Sequence, residues 1–277
     1  MDPAVSLEAI FARYHRPAYI ANDPLDRVRR YRDAADREVV GLLAATLAFG
    51  RVAQILASLD SVLARLGSQP AVFVREARLA DLVRAMRGCR HRWVTGDDLA
   101  NLLAASGRLL RSYGSLGAAW IASRHPEDGD AHDTARHWVS LYDAHGLRRE
   151  NALIPRPERG SASKRLHLYL RWMVRQDRVD PGGWDDSPSR LLFPLDVHMH
   201  RIGRALGFTR RRTADLVAVR EVTAGFRRID PADPVRFDFA LTRPGINGGA
   251  TFGEVCEAFA REARGGHPKL ARRASTR

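Results

Sequence analysis

"KRLHLYLRWMVRQ" (164–176) is the stretch on which the fold turns. Read with a period of two, Leu166, Leu168, Leu170 and Trp172 alternate as they would on a strand. Read with a period of 3.6, Leu166, Tyr169, Leu170 and Met173 share one face. The length of the run, its helix-forming composition and the serines just before it favour the helix.

Outward from that stretch the signals are helical. "DREVVGLLAATLAFGRVAQILASLDSVLARLG" (36–67) places Leu43, Leu47, Ile55, Leu59 and Leu63 at helical spacing, with Gly50 as a break, and predicts two helices. "ADLVRAMRG", "GDDLANLLAASGRLLRSYG" and "DTARHWVSLYDAHG" each run to a glycine suited to a C-terminal stop. There is no βαβ alternation, internal repeat or low-complexity tract. The expectation is an all-α fold of about ten helices, in line with ordinary helix lengths. Breaks fall at "IPRPERGSAS" (154–163), "DPGGWDDSPS" (180–189) and "DPADPV" (230–235), the last before an apolar helix. From residue 261 onward the basic tail is expected to be disordered.

At 277 residues the chain is long enough for one large domain or two lobes that share a core. Its longest uncharged apolar run, "VVGLLAATLAF" (39–49), is too short to span a bilayer and reads as a buried helix. The first twenty residues lack a basic region followed by a hydrophobic stretch, so a cytoplasmic, nucleoid-associated protein is expected, with no membrane partner. Two cysteines, Cys89 and Cys256, exclude a disulfide framework and a four-thiolate iron–sulfur or zinc site; both are expected to be buried. The net charge of +13 favours a polyanionic partner. Basic residues concentrate at 155–178 and 201–212, on either side of "PLDVHMHRIGRALGF" (194–208).

That last stretch admits three readings. Asp196 suits a helix N-cap, with Met199, Ile202 and Leu206 as the buried stripe and Gly207 as the stop. In an extended strand, Asp196, His198 and His200 would face one side and serve a metal-dependent hydrolase; on a helix they would not. In the third reading, upstream "GSAS" is a turn that delivers Lys164 to a helix start beside Arg159 and Arg165, a setting for phosphate contact and a reactive amine.

Taken together, the turn-Lys-helix and "PLDVHMHRIGRALGF" resemble the helix-hairpin-helix (HhH-GPD) DNA glycosylase superfamily, which includes endonuclease III and the 8-oxoguanine glycosylases. "AATLAFGR", "HRWVTGDDL", "SASKRLHLYLRWMVR", "PLDVHMHRIGRALG" and "DPVRFDFAL" also look, in that order, like an uncharacterised bacterial family similar to the archaeal 8-oxoguanine glycosylases. The usual "LPGVGxxTA" hairpin is not recognisable and the four-cysteine cluster is absent. The resemblance implies two helical lobes around a cleft: one from residues 1–50 and 185–277, the other from 51–184 with a divergent hairpin. It implies a bifunctional glycosylase and AP lyase that excises an oxidised purine, 8-oxoguanine foremost, through a lysine Schiff base, a monomer acting on damaged double-stranded DNA, with no cofactor. The chief alternative is a non-enzymatic helical DNA-binding protein.

In that resemblance Lys164 matches the Schiff-base nucleophile and Asp196 the catalytic acid. A flipped base needs a pocket with aromatic or apolar walls and a few polar groups. The expected lining is Trp93, Leu168, Trp172, Pro194 and Phe239, with Asp238 matching an acid that helps read the base. Contacts to the DNA backbone are expected from Ser161, Ser163, Arg165, His198, Arg201 and Arg204, with His91 and Arg92 as further phosphate or base contacts.

Overall fold

A computed structural model describes residues 3–246, with side-chain surroundings for 7–243. Its helices are α1 (Pro3–Tyr14), α2 (Leu25–Arg29), α3 (Ala34–Thr46), α4 (Val52–Leu66), α5 (Pro70–Glu76), α6 (Leu79–Met86), α7 (Gly96–Tyr113), α8 (Leu116–Ala122), α9 (Ala131–Ala144), α10 (Lys164–Val174), α11 (Val197–Ala205), α12 (Leu216–Arg227) and α13 (Asp238–Ile246). The fold is all-α. One small antiparallel hairpin, β1 (Arg90–His91) with β2 (Val94–Thr95), interrupts it among the described residues. Two residues per strand are too few for an alternating pattern to register in sequence.

The segment 164–176 folds as the helix α10, ending at Val174. The long apolar run splits into α3 and α4 about Gly50, whose φ of 100° belongs to glycine. Elsewhere the helix starts follow from cap chemistry. α3, α7, α8, α9, α11 and α12 each begin on Asp, Ser or Thr, whose side-chain oxygen accepts a hydrogen bond from a first-turn N–H.

The centre is α3, buried along most of its length, which packs against α2, α4, α5, α8 and α10. Gly41 leaves room for α10 there, since a Cβ at that position would lie 2.9 Å from the Met173 methyl. The Tyr169 hydroxyl of α10 donates to the Glu38 carbonyl at 3.1 Å. The Glu38 side chain is also buried, and accepts from the Leu116 and Gly117 N–H groups at 2.8 and 3.0 Å and from the Trp184 indole at 2.8 Å. It thereby caps α8 and ties three segments together.

α1 packs on α13, and α11 packs on both α12 and α13, so the two ends of the described chain meet. A single continuous set of buried apolar side chains runs from Leu7 to Leu241. α3, placed by sequence in the lobe of the chain ends, makes its packing contacts on both sides of the expected boundary at residue 50. Cys89 is buried and unpaired; Cys256 and the tail lie outside the described residues. No helix among the described residues is long and apolar enough to cross a membrane.

Candidate functional site around Lys164 and Asp196

The connection from α9 to α10 sets the first half of the site. A turn of 3-10 helix, Pro157–Arg159, ends on left-handed Gly160. The Gly160 carbonyl accepts from the Leu216 N–H at 2.9 Å, which pins the loop to the start of α12. Ser163 then adopts a left-handed conformation, φ 44°, that few non-glycine residues hold. The chain swings there, and Lys164 becomes the first residue of α10. α10 has no side-chain cap, so its first N–H groups are left to other acceptors.

The second half is the start of α11. The Asp196 Oδ1 accepts from the His198 and Met199 N–H groups, both at 2.9 Å. The Asp196 Oδ2 lies 3.4 Å from the Lys164 Nζ. One carboxylate therefore serves as helix cap and as partner of the lysine, one oxygen for each. The lysine side chain is 34 % exposed and the aspartate 25 %, so the pair is open to solvent on one side. α11 ends on a Schellman motif, with Phe208 N–H donating to the Gly203 carbonyl and Gly207 at φ 73°.

The strand geometry required by the metal-ligand triplet does not arise, because α11 is helical from Val197. His198 lies exposed in its first turn, while His200 is buried with its Nε2 3.1 Å from the Arg211 carbonyl. Among the described residues no group of three or more His, Cys, Asp or Glu is arranged to hold a metal.

Behind the pair, α10 carries Lys164, Leu168, Arg171 and Arg175 at spacings that align them along one face. Arg171, only 3 % exposed, bridges Asp180 at 2.8 Å and also pairs with Asp238. Arg175 is held by Asp177, Asp180 and Asp233. The stripe thus passes from a solvent-facing lysine to fully compensated buried arginines. Arginine at these inner positions suits the bidentate carboxylate geometry.

The remaining expected residues divide. Pro194 is buried just before Asp196, and Leu168 is half-buried on the Lys164 face of α10. Trp93 is 56 % exposed at the tip of the β1–β2 hairpin, beside left-handed Arg92, and stacks on Phe49 with ring centroids 4.4 Å apart. His91 is buried and bonds inward to the Phe49 carbonyl and the Ser58 hydroxyl. Arg201 and Arg204 are exposed on α11 and have no salt bridge among the described residues. Ser161 is exposed; Ser163 is buried, its hydroxyl turned toward Ser161.

Four expectations are corrected. Trp172 and Phe239 belong to the buried core and form no open pocket wall. Asp238 is 4 % exposed and engaged by Arg171, so it does not face a base. Arg165 turns inward. Its two terminal nitrogens donate to the Thr46 and Ala152 carbonyls at 2.8 and 2.7 Å, and its guanidinium sits 5.1 Å from the Phe49 ring centre. Burial without a carboxylate partner lowers its pKa to about 10. Each error has one cause: a helical repeat shows which residues share a face, not which neighbour covers that face.

Sequence reasoning also missed Phe49, which joins Arg165 to Trp93 and carries no local mark beyond being aromatic before a glycine. A stronger signal for Lys164 was present in composition. The chain has 43 arginines and two lysines, Lys164 and Lys269, so Lys164 is the single lysine among the described residues. Arginine does not lose its proton in proteins, whereas a lysine amine does when its surroundings favour it. The one lysine described in this arginine-rich chain is thus the residue set against the Asp196 carboxylate.

A separate depression of about 410 Å³, bordered by Val83, Arg87, Cys89, Arg90 and Thr95, shares no residue with this site. No curated protein and no solved structure matches the chain. A family described as "Protein of unknown function (DUF2400)" matches residues 23–247, most of the chain and both halves of the site, and the chain belongs to that family.

Proposed function

We propose that the protein is a bifunctional DNA glycosylase and AP lyase that removes an oxidised purine, 8-oxoguanine foremost, from double-stranded DNA. One observation carries the reading: the Lys164 Nζ lies 3.4 Å from the Asp196 Oδ2, although 31 residues separate them in the chain. A flipped nucleotide would place its sugar C1′ against the lysine. The neutral amine forms a bond to C1′ as the glycosidic bond breaks, and the base leaves with the bonding electron pair and takes up a proton. Asp196 accepts the lysine proton and offsets the positive charge that develops on the sugar. The C1′–O4′ bond then opens, O4′ taking the proton back from Asp196, and the nitrogen lone pair forms the C1′ imine; the imine acidifies the neighbouring C2′ hydrogen, and its loss as a proton with departure of the 3′ phosphate breaks the C3′–O3′ bond and cuts the strand on the 3′ side.

The HhH-GPD-like cleft between two helical lobes belongs to the same proposal. It would lie between the start of α10 and the start of α11, with Arg201 and Arg204 meeting phosphates along one wall and exposed Trp93 near the other. The protein would act as a monomer.

Borohydride trapping tests the reading. Incubated with an 8-oxoguanine duplex, the protein should yield a covalent adduct, and Lys164→Arg should yield none while binding the duplex as tightly. Trapping unchanged in that variant, or neither adduct nor released base from the parent across a panel of single-lesion duplexes, would leave a DNA-binding protein without this chemistry.

A further inference from the structure

α6 carries more apolar surface than its packing uses. Leu82 and Met86 are buried where the helix meets α4 and α7. Leu79 and Val83, one turn apart at the edge of the same stripe, both remain exposed. The charged groups of the helix do not cover them. Arg78 and Arg84 both turn to Asp81, at 3.0 and 3.5 Å.

The exposed edge of the stripe runs into the depression of about 410 Å³ at the end of the helix, which Val83 borders. Two glycines shape that depression. Gly88, at φ 76°, turns the chain out of α6, and a Cβ there would meet nothing within 4 Å. Gly96 lets the start of α7 lie against the end of α6, where a Cβ would collide with the Met86 carbonyl oxygen. Val83 and buried Cys89 supply apolar walls.

The rim is basic. Arg87 and Arg90 border the depression, both exposed, and neither has a carboxylate partner among the described residues. The Arg87 side chain makes no hydrogen bond there either, and Arg90 bonds the Arg92 carbonyl at 3.2 Å. Asp97 is the one acid on the rim. Asp98, next along α7, is taken up by the Thr95 cap and Arg148. Charge complementarity and the apolar stripe together ask for a ligand that carries both carboxylates and large apolar side chains.

We infer that the exposed edge of α6 and the depression at its end form a docking surface for an acidic segment of another protein. Such a segment sets an apolar side chain into the depression, a second along Leu79 and Val83, and its carboxylates against Arg87 and Arg90. A free phosphate or a nucleotide would meet the arginines and leave the Leu79–Val83 strip, about 6 Å along the helix, uncovered. Duplex DNA presents phosphates along its backbone and makes no use of that strip. The surface shares no residue with the Lys164–Asp196 site, and the inference does not rest on the glycosylase reading.

Fluorescence anisotropy of the full chain with labelled synthetic peptides tests it. The panel places Leu and Phe at several spacings among aspartates, and a control replaces both apolar residues by alanine. At least one panel peptide should bind saturably, with the alanine control weaker by about tenfold or more. Val83→Ser and Arg87→Ser should each weaken that peptide about tenfold, and only Arg87→Ser should also flatten its salt dependence. Neither side chain supports the core, so both variants should melt with the parent.

No saturable binding by any panel peptide, equal binding of the alanine control, or an affinity unchanged in either variant overturns the inference. So does duplex binding that Val83→Ser and Arg87→Ser weaken alike, which would give the surface to nucleic acid.

Discussion

Replacing Asp196 by asparagine separates its two duties, because each falls on a different oxygen. The carbonyl oxygen of the introduced amide can still accept from the His198 and Met199 N–H groups, so the cap is kept; asparagine and aspartate are near-equal as N-caps. What is lost is charge. The part-exposed pair with Lys164 contributes about 0–1 kcal/mol after solvent screening, and the negative charge at the helix N-terminus about 0.3–1 kcal/mol. Asp196→Asn should therefore cost about 1 kcal/mol, a fall in Tm of about 2–4 °C for a chain of this size. Asp196→Ala removes the cap as well and should cost about 2 kcal/mol in all.

Base excision should respond on another scale. A carboxylate that stabilises developing charge and takes a proton is worth at least about 2 kcal/mol in the transition state, or about 30-fold in rate. Single-turnover excision from an 8-oxoguanine duplex, together with calorimetric melting of the parent and of the two variants, measures both. If Asp196→Asn excises at the parental rate while Asp196→Ala melts lower, Asp196 is a helix start and nothing more.

Two further outcomes are expected. Alanine at Arg201 or Arg204 should reduce the slope of log Kobs against log salt for duplex binding by about one each, and an unchanged slope would remove α11 from the DNA interface. Acid stability should depend on His167, which burial, with His132 adding to it, holds down at about 3. The unfolded chain binds that proton below about pH 6.5, so the folded state has its full advantage above that pH and loses it as pH falls toward 3. Calorimetry of His167→Phe should find the stability slope between about pH 4 and 6 shallower by about 1.4 kcal/mol per pH unit; an equal slope would mean that His167 is protonated in the fold.

Much of the helical framework was legible because it is written in short-range chemistry. Asp196, Thr95 and Asp130 each carry an oxygen that completes a first turn, and Gly114, Gly146 and Gly207 occupy positive φ just past helix ends. The stretch 164–176 was ambiguous only in its apolar spacing. A central helix that meets several neighbours buries more than one stripe, as Leu166, Tyr169, Leu170, Trp172 and Met173 all do.

The sequence by itself determined the all-α class, many of the helix starts and stops, and the chemical kinds of the candidate pair, because these depend on residues within a turn or two of one another. Only the tertiary structure decided how those kinds are used. It brought the start of α10 to the start of α11, gave one Asp196 oxygen to the cap and the other to Lys164, buried Asp238 against Arg171 and drew Arg165 onto carbonyls. The physical reason is that a side chain's ionisation and reach depend on what covers it. That cover comes from helices such as α3, α11 and α13, which are distant along the chain from α10 and adjacent to the site only once the core has closed.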